Sequence, residues 1–471
     1  RLPLTKSPTI IIGNALRIDW NSLVKKQDLN YILGNPPFIG KQYQEDKQKE
    51  DLKLVFDSVK GSGVLDYVSC WHYLASQYIS GTKIKVAFVS TNSISQGEQV
   101  GILWNELFNK LGIKIHFAHR TFKWNNEAKN QANVYVVIIG FANFDTPDKY
   151  IFDYDSPISD PHERKVKNIC PYLAEADDIV ILSRNSSICS VPVINFGSMP
   201  NDGGFLLLSD EEKIQIIAKE PKSEKYIKQL YGAKEFLNDI KRWCFWLKDA
   251  NPSDIKSIKE ITDRVAKVRE TRLKSKRSAT KTLANFPTLF GEIRQPEIDY
   301  IAIPEVSSEN RKYIPIGFLS KDIIASNRLK IIPGGELYHF GVLTSIMHMT
   351  WTNYVCGRLE GRITYSNNIV YNNFPWPKNP LISNRKLVEK YAKNILDIRK
   401  SFTDSTLADL YDPLSMPPDL MKAHNALDKA VDKCYRSQPF TSELNRLEFL
   451  FNLYEEYTAG LLTVEKKKKK R

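Results

Sequence analysis

The segment Asn35, Pro36, Pro37 and Phe38 combines a side-chain amide, two prolines and an aromatic ring. Proline fixes φ and has no backbone N–H, so two prolines in succession form a stiff corner that cannot continue a strand. Such a corner holds two acceptors in fixed positions, the side-chain carbonyl of Asn35 and the main-chain carbonyl of Pro36. The tetrad alone is compatible with a plain structural turn and with a site that holds a reacting group.

Two fixed acceptors suit the activation of an exocyclic amine on an aromatic base. This amine is a poor nucleophile because its lone pair is delocalised into the ring, and acceptors placed against its hydrogens favour a pyramidal nitrogen. Phe38 offers a flat face on which such a base can stack. A base within a duplex would first have to flip out of the helix, which costs unstacking energy.

The elements around the corner predict an α/β fold over residues 1–147, with a doubly wound, mostly parallel sheet. The runs TIIIGNAL, LNYILGN, KIKVAFVST, IKIHFAHR and NVYVVIIGF predict strands, and YQEDKQKEDLKLVFDSV, DYVSCWHYLASQYI and GEQVGILWNELFNKLG predict covering helices. Ligands of such sheets bind beyond the carboxyl ends of the strands, where the corner lies. The last two strands are joined by TFKWNNEAKNQA, which is too short for a crossover helix, so we expect an antiparallel hairpin at one edge.

The composition and the length of the predicted segments change after residue 147. Residues 148–379 are short mixed segments rich in Pro, Asn and Tyr and predict an α+β domain, whereas residues 380–471 predict a helical region with a basic tail. The run NNFPWP predicts an aromatic structural clasp within the core. A basic helical block interrupts the second domain, and it suits either a solvated face or phosphate contact. Its cations are Arg264, Lys267, Arg269, Arg272, Lys274, Lys276, Arg277 and Lys281.

Composition narrows the function classes. The chain has 67 Lys and Arg against 54 Asp and Glu, a net charge of +13, which favours a polyanion such as nucleic acid over a membrane surface. No apolar run of spanning length and no signal-peptide pattern is present, so we expect a cytoplasmic protein. The six cysteines and seven histidines show no metal-ligand spacing, and no metal site is predicted.

Several motifs together resemble a known family. GNPPF after a strand, VAFVSTNSISQGEQV, and HRTFKWNNEAKNQANVYVVIIGF resemble adenine-N6 DNA methyltransferases in which the catalytic domain precedes the recognition domain. More narrowly, the chain resembles the MmeI-like, type IIL restriction-modification enzymes. That resemblance rests on IIIGNALRIDW, DYVSCWHYLA, GAKEFLNDIKRWCFWL, IAIPEVSSENRKYIPIGF, CGRLEGRITYSNNIVYNNFPWP and LYDPLSMPPDLMKAHNALDKAVDKCY.

The resemblance implies a class I, Rossmann-like methyltransferase domain with a defined catalytic motif. Asn35, Pro36, Pro37 and Phe38 match that motif, in which the amide and the first proline carbonyl hold the adenine amine and the aromatic ring stacks on the base. For the opposite face of a flipped base the resemblance implies an aromatic of the TFKWNNEA segment. Phe122 is the first candidate and Trp124 the second, and packing within the hairpin is the alternative for Phe122.

The resemblance also implies contacts with S-adenosylmethionine. Asp19 and Trp20 match the segment that contacts the adenine part of this cofactor, although an aspartate at this position also suits a helix cap. The glycine-bearing cofactor loop, the ribose-binding acid, the helical connector and the PD-(D/E)xK nuclease of these enzymes are not in the chain. We therefore expect the missing N-terminal half of the same polypeptide, or a partner subunit, to supply them. Mg²⁺ would be needed only by a nuclease outside this portion.

The resemblance implies that residues 148–379 are the target recognition domain, with double-stranded DNA as the partner. If CGRLEGRITYSNN forms a strand, Glu360 and Arg362 share a face and suit one C·G base pair in the major groove. An exposed ion pair of little energetic value is the alternative. Weaker candidates for DNA contact are Arg328, Arg358 and Asn367 for bases, and Arg272, Lys274, Lys276 and Arg277 for phosphates.

These observations predict site-specific DNA adenine-N6 methylation as part of a fused restriction-modification enzyme. One alternative is a DNA-recognition fragment that is catalytically silent without its N-terminal half. A protein glutamine-amide methyltransferase also uses an N-P-P corner, but it needs no recognition domain of this size. A scaffolding role explains the bulk of the chain and leaves the corner unexplained.

Overall fold

The computed structural model describes residues 8–124, 134–156 and 158–468, and the chain divides into two compact units, Arg1–Ser183 and Arg184–Arg471. The first unit contains α1 (Trp20–Leu23), β1 (Tyr31–Gly34), α2 (Asp46–Val55), α3 (Ser69–Tyr78), β2 (Lys85–Thr91), α4 (Glu98–Asn109), β3 (Lys114–Trp124), β4 (Val134–Ala142), β5 (Lys149–Tyr154) and β6 (Pro161–Val166). Among the described residues, no helix combines the length and the apolar character needed to cross a membrane.

The first unit is built on one mixed sheet with the strand order β1-β2-β4-β3-β5-β6. β1 runs parallel to β2 and β3 runs parallel to β5, whereas β4 is antiparallel to both of its neighbours. The carboxyl ends of β1, β2, β3 and β5 therefore meet at one edge of the sheet, together with the start of β4. Ligands of α/β sheets bind at this edge.

Helix α3 covers this sheet with an apolar face that includes a buried histidine. The His72 ring lies 5.2 Å from the ring of Phe88 on β2 and 5.7 Å from the ring of Phe141 on β4. Burial lowers the pKa of His72 to about 4, and its ring nitrogens lie 3.3 Å from the Val68 carbonyl oxygen and 3.4 Å from Ser90 Oγ.

The structure confirms the predicted Rossmann-like α/β fold and the antiparallel pairing of β3 with β4. Two details differ. The hairpin lies inside the sheet, because β5 and β6 add beyond β3, and these two strands fall after the predicted boundary at residue 147. The predicted strand TIIIGNAL does not form among residues 9–16. Its end turns instead, with the N–H groups of Arg17 and Ile18 donating to the Asn14 carbonyl, and Ile10 and Ile12 are 81% and 97% exposed.

The second unit is α+β followed by helices, as the sequence predicts. It contains β7 (Asn195–Phe196), β8 (Leu207–Leu208), α5 (Asp210–Lys219), β9 (Ile227–Tyr231), α6 (Ala233–Asn238), β10 (Trp243–Phe245), α7 (Pro252–Ser257), α8 (Lys259–Leu273), α9 (Ser278–Thr282), β11 (Tyr300–Pro304), β12 (Val306–Ser307), β13 (Gly317–Leu319), β14 (Ile324–Ala325), β15 (Leu329–Pro333), α10 (Leu337–Leu343), α11 (Ile346–Val355), β16 (Arg358–Leu359), β17 (Arg362–Thr364), α12 (Ile382–Ser401), α13 (Leu407–Leu410), α14 (Pro418–Tyr435) and α15 (Glu443–Lys468).

Within the described part of the second unit, three small sheets have the orders β14-β9-β10-β8, β13-β11-β15-β7 and β12-β17-β16. The first packs on α8 through a core that includes Phe245 and Ile261. The predicted aromatic clasp is confirmed as core, because Phe374 is fully buried and Trp376 is 3% exposed.

Candidate functional site

The corner Asn35–Phe38 begins directly where β1 ends, at the carboxyl edge of the sheet. The last residue of the strand, Gly34, pairs with Phe88 of β2, and a Cβ atom on Gly34 would lie 3.2 Å from the Phe88 ring. Glycine therefore lets the strand end lie closely against this ring. Beyond it, Pro36 is buried, whereas Asn35 and Pro37 are exposed.

Two groups of the corner remain accessible. Phe38 is half-buried, and the Asn35 side chain makes no hydrogen bond to another residue that the structure describes. The buried Pro36 restrains the backbone beside Asn35, and the exposed Asn35 side-chain oxygen can accept a hydrogen bond from a ligand.

The end of β3 lies at the same sheet edge. Phe122 pairs with Val136 on β4, and Val136 pairs on its other side with Thr91 at the end of β2. The ladder between β3 and β4 is irregular between His119 and Phe122, where the register shifts. Such bulges redirect a side chain, and here the bulge immediately precedes the aromatic candidate.

Phe122 belongs to an aromatic cluster formed by β3 and β5. Its ring stacks on the Tyr154 ring at 5.1 Å and 20°, while the His119 ring stacks on Phe152 at 4.1 Å and 5°. The Tyr154 hydroxyl lies 2.8 Å from His119 Nδ1, and burial lowers the pKa of this histidine and raises the pKa of the tyrosine. Phe122 thus packs within the sheet as well as lying at its edge, and Trp124, at 38% exposure, is the more accessible ring.

Asp19 and Trp20 line a cavity of about 290 Å³ together with Lys26, Gln77 and Tyr78. The Trp20 ring meets the Tyr78 ring edge-on at 5.7 Å, and its Nε1–H donates to the carbonyl of Ala15 at 2.8 Å. Asp19 caps α1 by accepting the N–H of Asn21 at 3.0 Å. The half-buried Trp20 ring and a carboxylate that is not buried fit a flat heteroaromatic group that carries an amine, whereas Tyr78 is 7% exposed and Lys26 Nζ lies 5.2 Å from its ring.

In the second unit, Glu360 and Arg362 are joined by an ion pair of 2.6 Å, and they are 77% and 46% exposed. The prediction that both lie on one strand is wrong for Glu360. Leu359 pairs with Arg362, so Glu360 and Gly361 form the two-residue turn between β16 and β17, with φ of 58° and 114°. Two-residue hairpin turns with positive φ at both positions match the twist of the strands, and glycine adopts this conformation without strain.

Arg358 supports this turn from within. Its guanidinium donates to the carbonyl of Gly361 at 3.0 Å and to the carbonyl of Asn353 at 3.1 Å. These bonds keep the backbone of the turn fixed while the side chains of Glu360 and Arg362 extend toward solvent.

The remaining candidates for DNA contact differ in accessibility. Arg328 is 70% exposed and pairs with Glu305 at 3.0 Å, whereas Asn367 begins a short π-helix and buries its side-chain oxygen without a partner among the described residues. Lys274 pairs with Glu270 at 2.6 Å, and Lys276 and Arg277 are exposed.

The prediction that Arg272 contacts DNA is wrong. The sequence places it with the phosphate-binding cations, but it is 1% exposed and all three guanidinium nitrogens donate to backbone carbonyls at 2.7–3.0 Å. These carbonyls belong to Pro200, Asn201, Leu283, Phe286 and Leu289. The residue fastens α8 to irregular segments of the core and is not available to DNA.

Comparison with known proteins agrees with this architecture along nearly the whole chain. Three family models match in succession: "MmeI, DNA-methyltransferase domain" over residues 1–153, "MmeI, target recognition domain" over residues 175–378, and "MmeI, C-terminal domain" over residues 382–462. The chain belongs to the MmeI family.

Two relatives of this MmeI-family chain cover almost all of it. The DNA methyltransferase A of Bacillus subtilis (strain 168) is 43% identical over 461 residues, which are 97% of this chain and 51% of that protein. The solved structure of the type IIL restriction-modification enzyme MmeI in complex with DNA is 46% identical and matches with a TM-score of 0.90, covering 98% of this chain and 61% of that one. The present chain thus spans about half the length of the curated relative.

Sequence reasoning missed the residues that hold the corner of the MmeI-family methyltransferase domain in place. Asp66 and Gln44 bind the backbone of Ile39, directly after Phe38, and both are buried. Asp51 in the middle of α2 is also buried and binds Arg17. The sequence gives no signal for Asp66 and Asp51, because their partners Ile39 and Arg17 lie 27 and 34 residues away along the chain.

Proposed function

We propose that this chain is the methyltransferase and target-recognition portion of an enzyme that transfers a methyl group to the N6 atom of adenine at a specific DNA site. The observation that carries the proposal is the rigid corner Asn35–Phe38 at the carboxyl edge of the sheet, with an exposed amide and an adjacent ring. Membership of the MmeI family and the attached recognition domain make duplex DNA the substrate that fits best.

In this proposal the corner positions the target amine. Asn35 Oδ1 and the Pro36 carbonyl accept the two amine hydrogens, which frees the nitrogen lone pair, and Phe38 stacks on the flipped base. Phe122 or Trp124 covers the opposite face. No histidine or carboxylate belongs to the corner, so the proton leaves to solvent after attack, and positioning supplies most of the rate.

S-adenosylmethionine, when bound, supplies the methyl group from its sulfonium. The cavity beside Asp19 fits the adenine part of this cofactor, because the half-buried Trp20 ring lines it and the carboxylate accepts hydrogen bonds from an amine. Asp19 acts both as a helix cap and as a cofactor contact in this arrangement, since a carboxylate has two oxygens.

The second unit selects the DNA site. Arg362 can fork onto guanine and Glu360 can accept from the cytosine amine, which together read one C·G pair. Lys274, Lys276 and Arg277 bind phosphates without sequence preference. Arg328 can add a base contact from its exposed position, whereas Arg358 acts through the backbone of the turn, and Asn367 is a weaker candidate because its side-chain oxygen is buried.

The test begins by selecting duplexes from a random-sequence pool with this chain. The selected duplex is then incubated with radiolabelled S-adenosylmethionine and digested, and the labelled nucleoside is identified by mass spectrometry. We expect label in N6-methyladenine and a fall in kcat of roughly 10²–10³ for Asn35→Ala, as for removal of a positioned transition-state interaction. The exposed Asn109 on α4 provides the control variant Asn109→Ala.

Label in cytosine or in protein would overturn the adenine assignment. Selective binding without transfer supports the second candidate, a recognition module that is silent by itself. This candidate is considered because the chain spans only 51% and 61% of the two relatives. Transfer by this chain alone separates the two candidates, because the silent module transfers methyl groups only when the polypeptide is extended upstream.

A further inference from the structure

The backbone after the catalytic corner is fastened on both of its polar groups at Ile39. Asp66 Oδ1 accepts the Ile39 N–H at 3.1 Å, and the Ile39 carbonyl accepts Gln44 Nε2 and the Tyr67 N–H, each at 3.0 Å. Asp66 and Gln44 are 4% and 6% exposed, so water does not replace these bonds easily. Phe38 therefore lies between two fixed points, the buried Pro36 and the Ile39 peptide.

The same short segment reaches the cofactor side of the unit through a tyrosine hydroxyl. Tyr67 donates to Asp51 Oδ2 at 2.6 Å, and Asp51 accepts Asn14 Nδ2 at 3.0 Å and Arg17 Nε at 2.6 Å. Asn14 and Arg17 belong to the segment that ends in Asp19. Asn14 Oδ1 in turn accepts the N–H of Leu16, which lines the cavity, at 3.0 Å. Hydrogen bonds and the Tyr67 side chain thus connect the corner with the lining of the cavity.

This connection is needed because the segment 14–18 has no strand ladder to hold it. A methyl transfer requires the two reacting atoms to be aligned about 3–3.5 Å apart, and a misplacement of about 1 Å costs roughly 10²-fold in rate. Side-chain bonds to Asp51 therefore help to place this segment, together with the burial of Leu16 and the bond from Trp20 Nε1 to the Ala15 carbonyl.

We propose that Asp66 and Tyr67 are positioning residues that fix the target-base corner relative to the cofactor-contacting segment. The inference rests on the proposed function, which assigns adenine to the corner and the cofactor to the cavity. Asp66 holds the corner, and the Tyr67 hydroxyl, through Asp51, holds the segment with Asp19.

The first pair of variants tests the corner. In Asp66→Ala the Ile39 N–H is deprived of its buried acceptor, whereas Asp66→Asn keeps Oδ1, the atom that accepts both the Ile39 N–H and the Val68 N–H. We expect amide exchange at Ile39 to accelerate roughly tenfold in the alanine variant, as for removal of one buried hydrogen bond, and to stay near the wild-type rate in the asparagine variant. The fluorescence rise of 2-aminopurine at the target position of the selected duplex should follow the same order.

The second pair tests the link to the cavity. Tyr67→Phe keeps the backbone bond to Ile39 and removes only the bond to Asp51, so exchange should rise in residues 14–20 and kcat should fall while the KM for DNA is unchanged. Tyr172→Phe is the matched control, because Tyr172 is also buried in this unit and its hydroxyl accepts the Ile181 N–H at 3.1 Å.

The outcomes separate the two proposals. A wild-type chain, extended upstream where necessary, that neither raises 2-aminopurine fluorescence nor transfers methyl groups overturns the proposed function and the positioning roles with it. An active wild type with unchanged Ile39 exchange in Asp66→Ala overturns the positioning role alone. Equal losses of activity in Asp66→Asn and Asp66→Ala also overturn it, since the asparagine variant retains the acceptor, and Tyr67→Phe remains informative where Asp66→Ala does not fold.

Discussion

At the residue scale, Glu360 combines an unfavourable backbone conformation with an exposed ionised side chain. A non-glycine residue at φ of 58° costs of the order of 1–3 kcal/mol, whereas an exposed ion pair such as Glu360–Arg362 contributes about 0.2–1 kcal/mol. The ion pair therefore does not compensate the strain, which is consistent with the proposed role of the carboxylate in base recognition.

Replacing this glutamate separates stability from recognition. Glu360→Asn should raise the free energy of unfolding by about 0.5–1 kcal/mol, because asparagine tolerates positive φ, and should weaken discrimination at one base pair by roughly 1–3 kcal/mol. Thermal unfolding and competition binding with single-base variants of the selected duplex measure both effects. Glu297→Asn is the control, an exposed glutamate without positive φ, and a lower melting temperature for Glu360→Asn would contradict the account of the turn.

Asp51 predicts a specific acid sensitivity. Burial raises its pKa, but the hydrogen bonds from Tyr67, Arg17 and Asn14 outweigh burial, and the net pKa is lowered. A carboxylate with a lowered pKa in the folded state stabilises the fold above its unfolded pKa of about 3.9, and this contribution disappears as pH falls through the folded value. Urea unfolding can be measured between neutral pH and pH of about 3. The free energy of unfolding of the wild type should approach that of Asp51→Asn below pH of about 4. A constant difference across this range would contradict the assignment.

At the element scale, the bulged end of β3 gives its two aromatic residues different roles. Phe122 stacks on Tyr154 of β5, so Phe122→Leu should lower stability by roughly 0.5–1.5 kcal/mol, while Trp124→Leu should change it by less than about 0.5 kcal/mol. The same two variants, assayed by 2-aminopurine fluorescence, test which ring covers the target base in the proposed flipped state. Equal stability of the two variants would contradict the packing role of Phe122.

The sequence predicts local features of this sheet well, because strand alternation and short links depend on neighbouring residues. The corner at the end of β1 and the β3–β4 pairing are of this kind. The sequence does not predict the burial of Arg272, since periodicity within a basic run does not show which side of α8 faces the core. It also misses the turn at Glu360, where the sequence lacks the usual Asn-Gly, and the bonds of Asp66 to Ile39, which depend on residues far apart.

At the scale of the whole molecule, a net charge of +13 predicts salt-dependent binding to DNA. Removing one cation that binds a phosphate should reduce the slope of log K against log salt by about 1. Lys276→Ala and Arg277→Ala should therefore flatten this slope equally for selected and random duplexes, while the exposed Lys429 on α14 serves as control. Anisotropy titrations at several salt concentrations measure the slopes. Unchanged slopes would show that Lys276 and Arg277 do not contact DNA phosphates.

The buried Arg272 has a consequence for how the second unit is assembled. One guanidinium gathers five carbonyl oxygens from residues 200–201 and 283–289, much as a calcium ion gathers oxygen ligands from a loop. Unlike an ion, this cation is part of the chain, so no chelator removes it and no supply in the cell limits it. In the segments around α8, a side chain of the protein takes the place of a structural metal ion. These segments are therefore held together without any bound ion.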